Sequence, residues 1–123
     1  MLSHDSWRNF KRPAMIITGS KDTSPTGSNK GKTYEWRLEA WQNLSPGNKY
    51  LAFIEGADHS FGGISGIRLV WSGPENEDHV NYATTSALAF WDAYLKKDTS
   101  ALAYLSSGSL AYISDDEARI ETK

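Results

Sequence analysis

Two stretches of this chain are apolar without interruption, at residues 14–18 (Ala-Met-Ile-Ile-Thr) and 50–54 (Tyr-Leu-Ala-Phe-Ile). A strand with one face in water alternates apolar and polar residues, whereas a strand covered on both faces does not. The pattern therefore predicts two buried strands. Residues Thr33 to Leu44 read as a helix, with Trp36, Leu38, Ala40, Trp41 and Leu44 largely on one stripe, ended by Ser45-Pro46-Gly47-Asn48. His79 to Leu95 is the strongest helical pattern. Its apolar residues Val80, Ala83, Ala87, Phe90, Trp91, Tyr94 and Leu95 recur at spacings of three and four.

The connections are long and polar. Gly19 to Lys32 is rich in Gly, Ser, Thr and Asn around Pro25, and Gly56 to Asp78 carries Gly62, Gly63, Gly66, Gly73 and Pro74. Within the second, Ile67-Arg68-Leu69-Val70-Trp71 reads as a strand or one helical turn. Ala101 to Leu105 reads as a short helix, and residues 106–123 as a weakly structured tail. Strand, helix, strand, helix in that order predicts an α/β fold with a parallel pair. Parallel sheets need several strands with both faces covered. Residues 1–123 are therefore expected to be a single partial domain, with an exposed strand edge open to self-association.

Composition narrows the partners. Hydrophobic residues make up 39% and charged residues 23%, with a net charge of −2, an ordinary globular balance. Nothing in that charge favours nucleic acid. Without cysteine there are no disulfides or thiolate metal ligands. His4, His59 and His79 share no ligand spacing, so neither a metal nor a cofactor is expected. The residues around Met1 lack the apolar core of a secretory signal, and no apolar run approaches a membrane span. A soluble protein with no membrane partner is the expectation.

The chemistry-bearing residues follow the strands. Asp22 lies just past the first strand and His59 just past the second. The carboxyl ends of parallel strands share one edge of the sheet, where open α/β folds place their ligands. An acid and an imidazole meeting there form the acid–base half of a nucleophilic triad. Asp58 is the competing acid, but beside His59 in the chain it reads as a turn former. Phe61 and Trp71 follow His59 in the same loop and read either as the lining of an apolar substrate pocket or as packing anchors. Thr26 to Thr33 approaches a phosphate-binding loop, but the motif needs glycine where Thr26 stands.

The run Arg12-Pro-Ala-Met-Ile-Ile-Thr-Gly-Ser-Lys-Asp-Thr-Ser-Pro25, followed by Gly56-Ala-Asp-His-Ser-Phe61, resembles the C-terminal third of α/β-hydrolase-fold serine esterases. The resemblance covers residues 12–105 and is closest to the dienelactone-hydrolase-like and polyester-hydrolase-like branch. It implies a carboxylic ester substrate, Asp22 as the catalytic acid, His59 as the catalytic base and a final helix carrying Ala89-Phe90-Trp91-Asp92-Ala93-Tyr94-Leu95. It also implies a serine in Gly-x-Ser-x-Gly upstream of the acid. No such motif lies among residues 1–21, and Gly63-Ile64-Ser65-Gly66 is one residue short and follows the histidine. The chain alone is therefore expected to be inactive on esters. A non-catalytic remnant or interaction module is the alternative.

Overall fold

In the computed structural model, which describes residues 3–123, three strands form one mixed sheet in the order β1-β2-β3. Strand β1 is Ala14–Lys21, β2 is Lys49–Asp58 and β3 is Ala118–Thr122. β1 and β2 are parallel, from Ala14 opposite Lys49 to Gly19 opposite Ile54. Helix α2 (Tyr34–Asn43) makes the crossover between them. The long helix α3 is Glu77–Leu95, followed by α4 (Thr99–Ser106) and α5 (Ser109–Ile113), while α1 (His4–Arg8) precedes the sheet. No helix among the described residues is long and apolar enough to cross a membrane.

The core explains why β2 reads as an unbroken apolar run. Residues 49–54 are all buried, because β2 is the central strand and both its faces are covered. On one side Tyr50 packs with Ala89, Phe90 and Ala93 of α3 and Leu105 of α4. Further along, Ile54 and Ala57 pack with Ala83, Leu110 and Ala118. Helix α3 is capped by Asn76, whose Oδ1 accepts from the His79 amide at 3.1 Å, and Glu77 and Asp78 in its first turn suit the helix dipole.

Three regions differ from the sequence expectation. Residues 106–123 are not a weakly structured tail: they form the end of α4, then α5 and β3. β3 pairs antiparallel with β2, from Tyr50 opposite Thr122 to Ile54 opposite Ala118, so the sheet is mixed and has three strands. With only Ala118 and Ile120 apolar, β3 gives a weak alternating signal. Its remaining side chains, Arg119 and Glu121 among them, stand exposed on an edge, where charge discourages further pairing. Residues 67–71 form neither strand nor helix.

The third difference is on the helices. None of the α2 residues is buried, and on α3 Trp91 and Leu95 are exposed despite lying on the apolar stripe. β1 is an edge strand among the described residues, and Trp36 of α2 and Trp91 of α3 border the open surface beside it. Two apolar clefts flank that edge. One of about 570 Å³ lies against α1 and α2, with Ile16, Ile17, Trp7 and Trp36 in its walls. The other, of about 350 Å³, lies against α3, between Met15, Ile17, Phe90 and Trp91.

Candidate active site

Asp22 and His59 are brought together by a kink in the pairing. From Gly19 opposite Ile54 the register jumps to Lys21 opposite Asp58, so β2 carries extra residues across a bulge. Gly56 sits in that bulge with φ +78°, a backbone shape that glycine adopts without strain, and its amide donates to Ser20 Oγ at 2.7 Å. At Gly19 the two strands approach so closely that a Cβ would lie 2.6 Å from both the Ala57 Cβ and the Ile54 carbonyl oxygen. The chain then turns through an Asp22 amide bond to the Gly19 carbonyl at 3.0 Å. These features set the two strand tips against one another.

The His59 Nδ1 lies 2.9 Å from Asp22 Oδ1. The carboxylate is 1% exposed and the imidazole 47% exposed. A carboxylate only accepts, so Nδ1 carries the hydrogen, and in the neutral ring Nε2 holds the lone pair. Among the described residues, Asp22 is the sole hydrogen-bond partner of the His59 side chain. The arrangement is an imidazole oriented by a buried acid, with a free basic nitrogen at a partly open surface. It can take and return a proton on a neighbouring molecule.

Two further groups hold Asp22, and sequence reasoning missed both. Thr18, fully buried in β1, donates its hydroxyl to Asp22 Oδ2 at 2.9 Å. Arg37 of α2 places Nε 2.8 Å from the same Oδ1 that His59 uses. The Arg37 N–H is angled off that oxygen, so the contact is an ion pair rather than a directed hydrogen bond. Thr18 is legible in hindsight, four residues before the acid on a two-sided strand. Arg37 is not, because nothing local in the sequence ties a helical arginine to an aspartate fifteen positions earlier.

The competing acid has other work. Asp58 Oδ1 accepts from the Ser60 amide at 2.8 Å and from the Ser60 hydroxyl, while Oδ2 accepts from the Gly73 amide. Burial pushes this carboxyl up, but the bonds from Ser60 and Gly73 and the nearby His79 outweigh it, and its pKa falls below the ordinary value. Asp58 thus ties the start of the 59–76 loop to its far side, as a turn former does. Phe61, at φ +46°, is half-buried and packs against the Ile54–Ala83–Leu110 cluster. Trp71 is 45% exposed in the loop, and neither aromatic lines the two clefts that flank β1. Ser65 is exposed and closes a local turn to Ile67.

A second histidine–carboxylate pair lies nearby. His79, buried at the start of α3, sets Nε2 3.1 Å from Glu117 Oε1, and Tyr82 donates its hydroxyl to Glu117 Oε2 at 3.3 Å. Burial and then the Glu117 and Asp78 charges push the Tyr82 hydroxyl up, which keeps it a donor. No group of three or more acidic or histidine ligands suited to a metal ion occurs among the described residues. No protein-family model, curated protein or solved structure matches this chain.

Proposed function

We propose that this chain supplies the acid and the base of a serine hydrolase acting on carboxylic esters, within the C-terminal part of an α/β-hydrolase domain. The observation that carries the reading is the buried Asp22 carboxylate bonded to Nδ1 of a half-exposed His59 at the tips of parallel strands. A serine from outside these residues attacks the ester carbonyl, forming the carbon–oxygen bond as its proton passes to His59 Nε2. The tetrahedral adduct then expels the alcohol, which leaves with that proton. Water repeats the sequence and frees the acid. Asp22 orients the ring and stabilises the imidazolium throughout. Without a nucleophile and its oxyanion donors, the chain by itself has negligible esterase activity. Neither step calls on a cofactor or a metal.

The test begins with the DNA upstream of Met1, translated in all frames. A Gly-x-Ser-x-Gly in frame is the expected result. Co-expressed with that segment, the chain should acquire nitrophenyl-ester hydrolysis and fluorophosphonate labelling of the serine, both lost in His59→Ala. Absence of the motif, or activity indifferent to His59, would overturn the reading.

The bare β1 edge between two apolar clefts favours a second reading, that of a non-catalytic interaction module. Self-association through that edge is the simplest form of it. Light scattering after size exclusion separates the two: a dimer dispersed by Ile16→Lys supports the module, and a monomer removes this form of it.

A further inference from the structure

We infer that Arg37 is a positioning residue for the acid–base pair, holding the Asp22 charge and moderating the proton affinity of His59. The inference rests on the proposed reading of that pair. Asp22 is 1% exposed, and a carboxylate so far from water needs a cationic partner. His59 provides one only while it is protonated. A base waiting to accept a proton is neutral, and in that state Thr18 offers a hydroxyl but no charge. Arg37 is cationic throughout, with Nε 2.8 Å from Oδ1.

The geometry adds a second consequence. His59 Nδ1 and Arg37 Nε share one oxygen, at 2.9 and 2.8 Å. When His59 gains a proton, two cations face one carboxylate, so Arg37 opposes a protonation that Asp22 alone would favour. The guanidinium lies over the Trp36 ring, 5.4 Å from its centroid, and the Arg37 side chain is only 22% exposed. Of the nearby charged groups, Asp58 is bonded to Ser60 and Gly73, and Lys21 is exposed to solvent.

The experiment is an NMR titration of the His59 ring in the 123-residue chain, which needs no nucleophile. Arg37→Gln should raise the titration midpoint of His59 by about one pH unit, and Arg37→Lys should keep it close to that of the unsubstituted chain. Asp22→Asn should lower it. An unchanged midpoint in Arg37→Gln beside a lowered one in Asp22→Asn overturns the role of Arg37 alone. An unchanged midpoint in Asp22→Asn overturns the acid–histidine pair itself. A measurement on the unsubstituted chain guards against an Arg37→Gln protein that does not fold. The Arg37 Nε resonance should shift with the same midpoint as the His59 ring, and a flat Nε resonance overturns the inference.

Discussion

The two histidine–carboxylate pairs among the described residues are opposites in burial. In Asp22–His59 the acid is 1% exposed and the ring 47%, whereas in Glu117–His79 the ring is 9% exposed and the acid 39%. Each contact is close to 3 Å, at 2.9 Å and 3.1 Å. What separates them is which partner the fold hides. A buried acid under an exposed ring leaves a basic nitrogen free for another molecule. A buried ring under an exposed acid has no such freedom, and it pins α3 to the residue that leads into β3. Proximity of a histidine and an acid therefore does not distinguish the two pairs, whereas the burial order does.

The largest effect separating the pairs should appear in turnover. In the serine-complemented protein, His59→Ala is expected to lower kcat/KM for a nitrophenyl ester by about 10⁴-fold or more, and Asp22→Asn by about 10⁴-fold. His79→Ala should leave kcat/KM within a few-fold of the parent. A comparable loss from His79→Ala would show that the two pairs do not differ in role.

Stability should show the reverse order. His79→Ala or Glu117→Gln weakens a partly buried charge-assisted contact and should cost about 1–3 kcal/mol in urea unfolding. His59→Ala removes a half-exposed ring and should cost less, although it leaves Asp22 with Arg37 and Thr18 as its partners. Equal midpoints for His79→Ala and His59→Ala would refute the structural assignment of the second pair.

Gly19→Ala tests whether strand approach, rather than local turn chemistry, brings Asp22 to His59. The added methyl meets the Ala57 and Ile54 carbonyl oxygens and the Ala57 Cβ, all closer than a real Cβ tolerates. A loss of about 1–3 kcal/mol is expected, together with loss of the Asp22–His59 coupling in an NMR titration. Retention of that coupling would put the positioning elsewhere.

The smallest effect concerns acid. Asp58 lies in the chain beside one pair and near His79 of the other, and its carboxyl sits below its ordinary 3.8 in the fold. A carboxyl depressed on folding stabilises above its unfolded pKa, and that stabilisation disappears as pH falls through the native value. The 59–76 loop should therefore lose hydrogen-exchange protection below about pH 4, and Asp58→Asn should remove that pH dependence. An unchanged acid response in Asp58→Asn would show that another carboxylate ties down the loop.

The chain order by itself determined the features governed by neighbours. Unbroken apolar runs marked β1 and β2, although only β2 is covered on both faces while β1 is half-buried over residues 14–17 at the sheet edge, and glycine-containing turns marked their ends. Periodicity marked α3, with its start displaced by only two residues from His79 to Glu77. The placement of Asp22 and His59 just past two parallel strands was likewise readable.

Tertiary structure alone decided the rest, because it depends on residues far apart in sequence. β3 forms although its own pattern is weak, since β2 offers a full edge of hydrogen bonds and Ala118 and Ile120 find the core. Arg37 reaches Asp22 only when α2 folds back over the sheet. Which histidine is hidden follows from α3 packing across the β2 bulge and the β3 approach, an outcome no short window of residues contains.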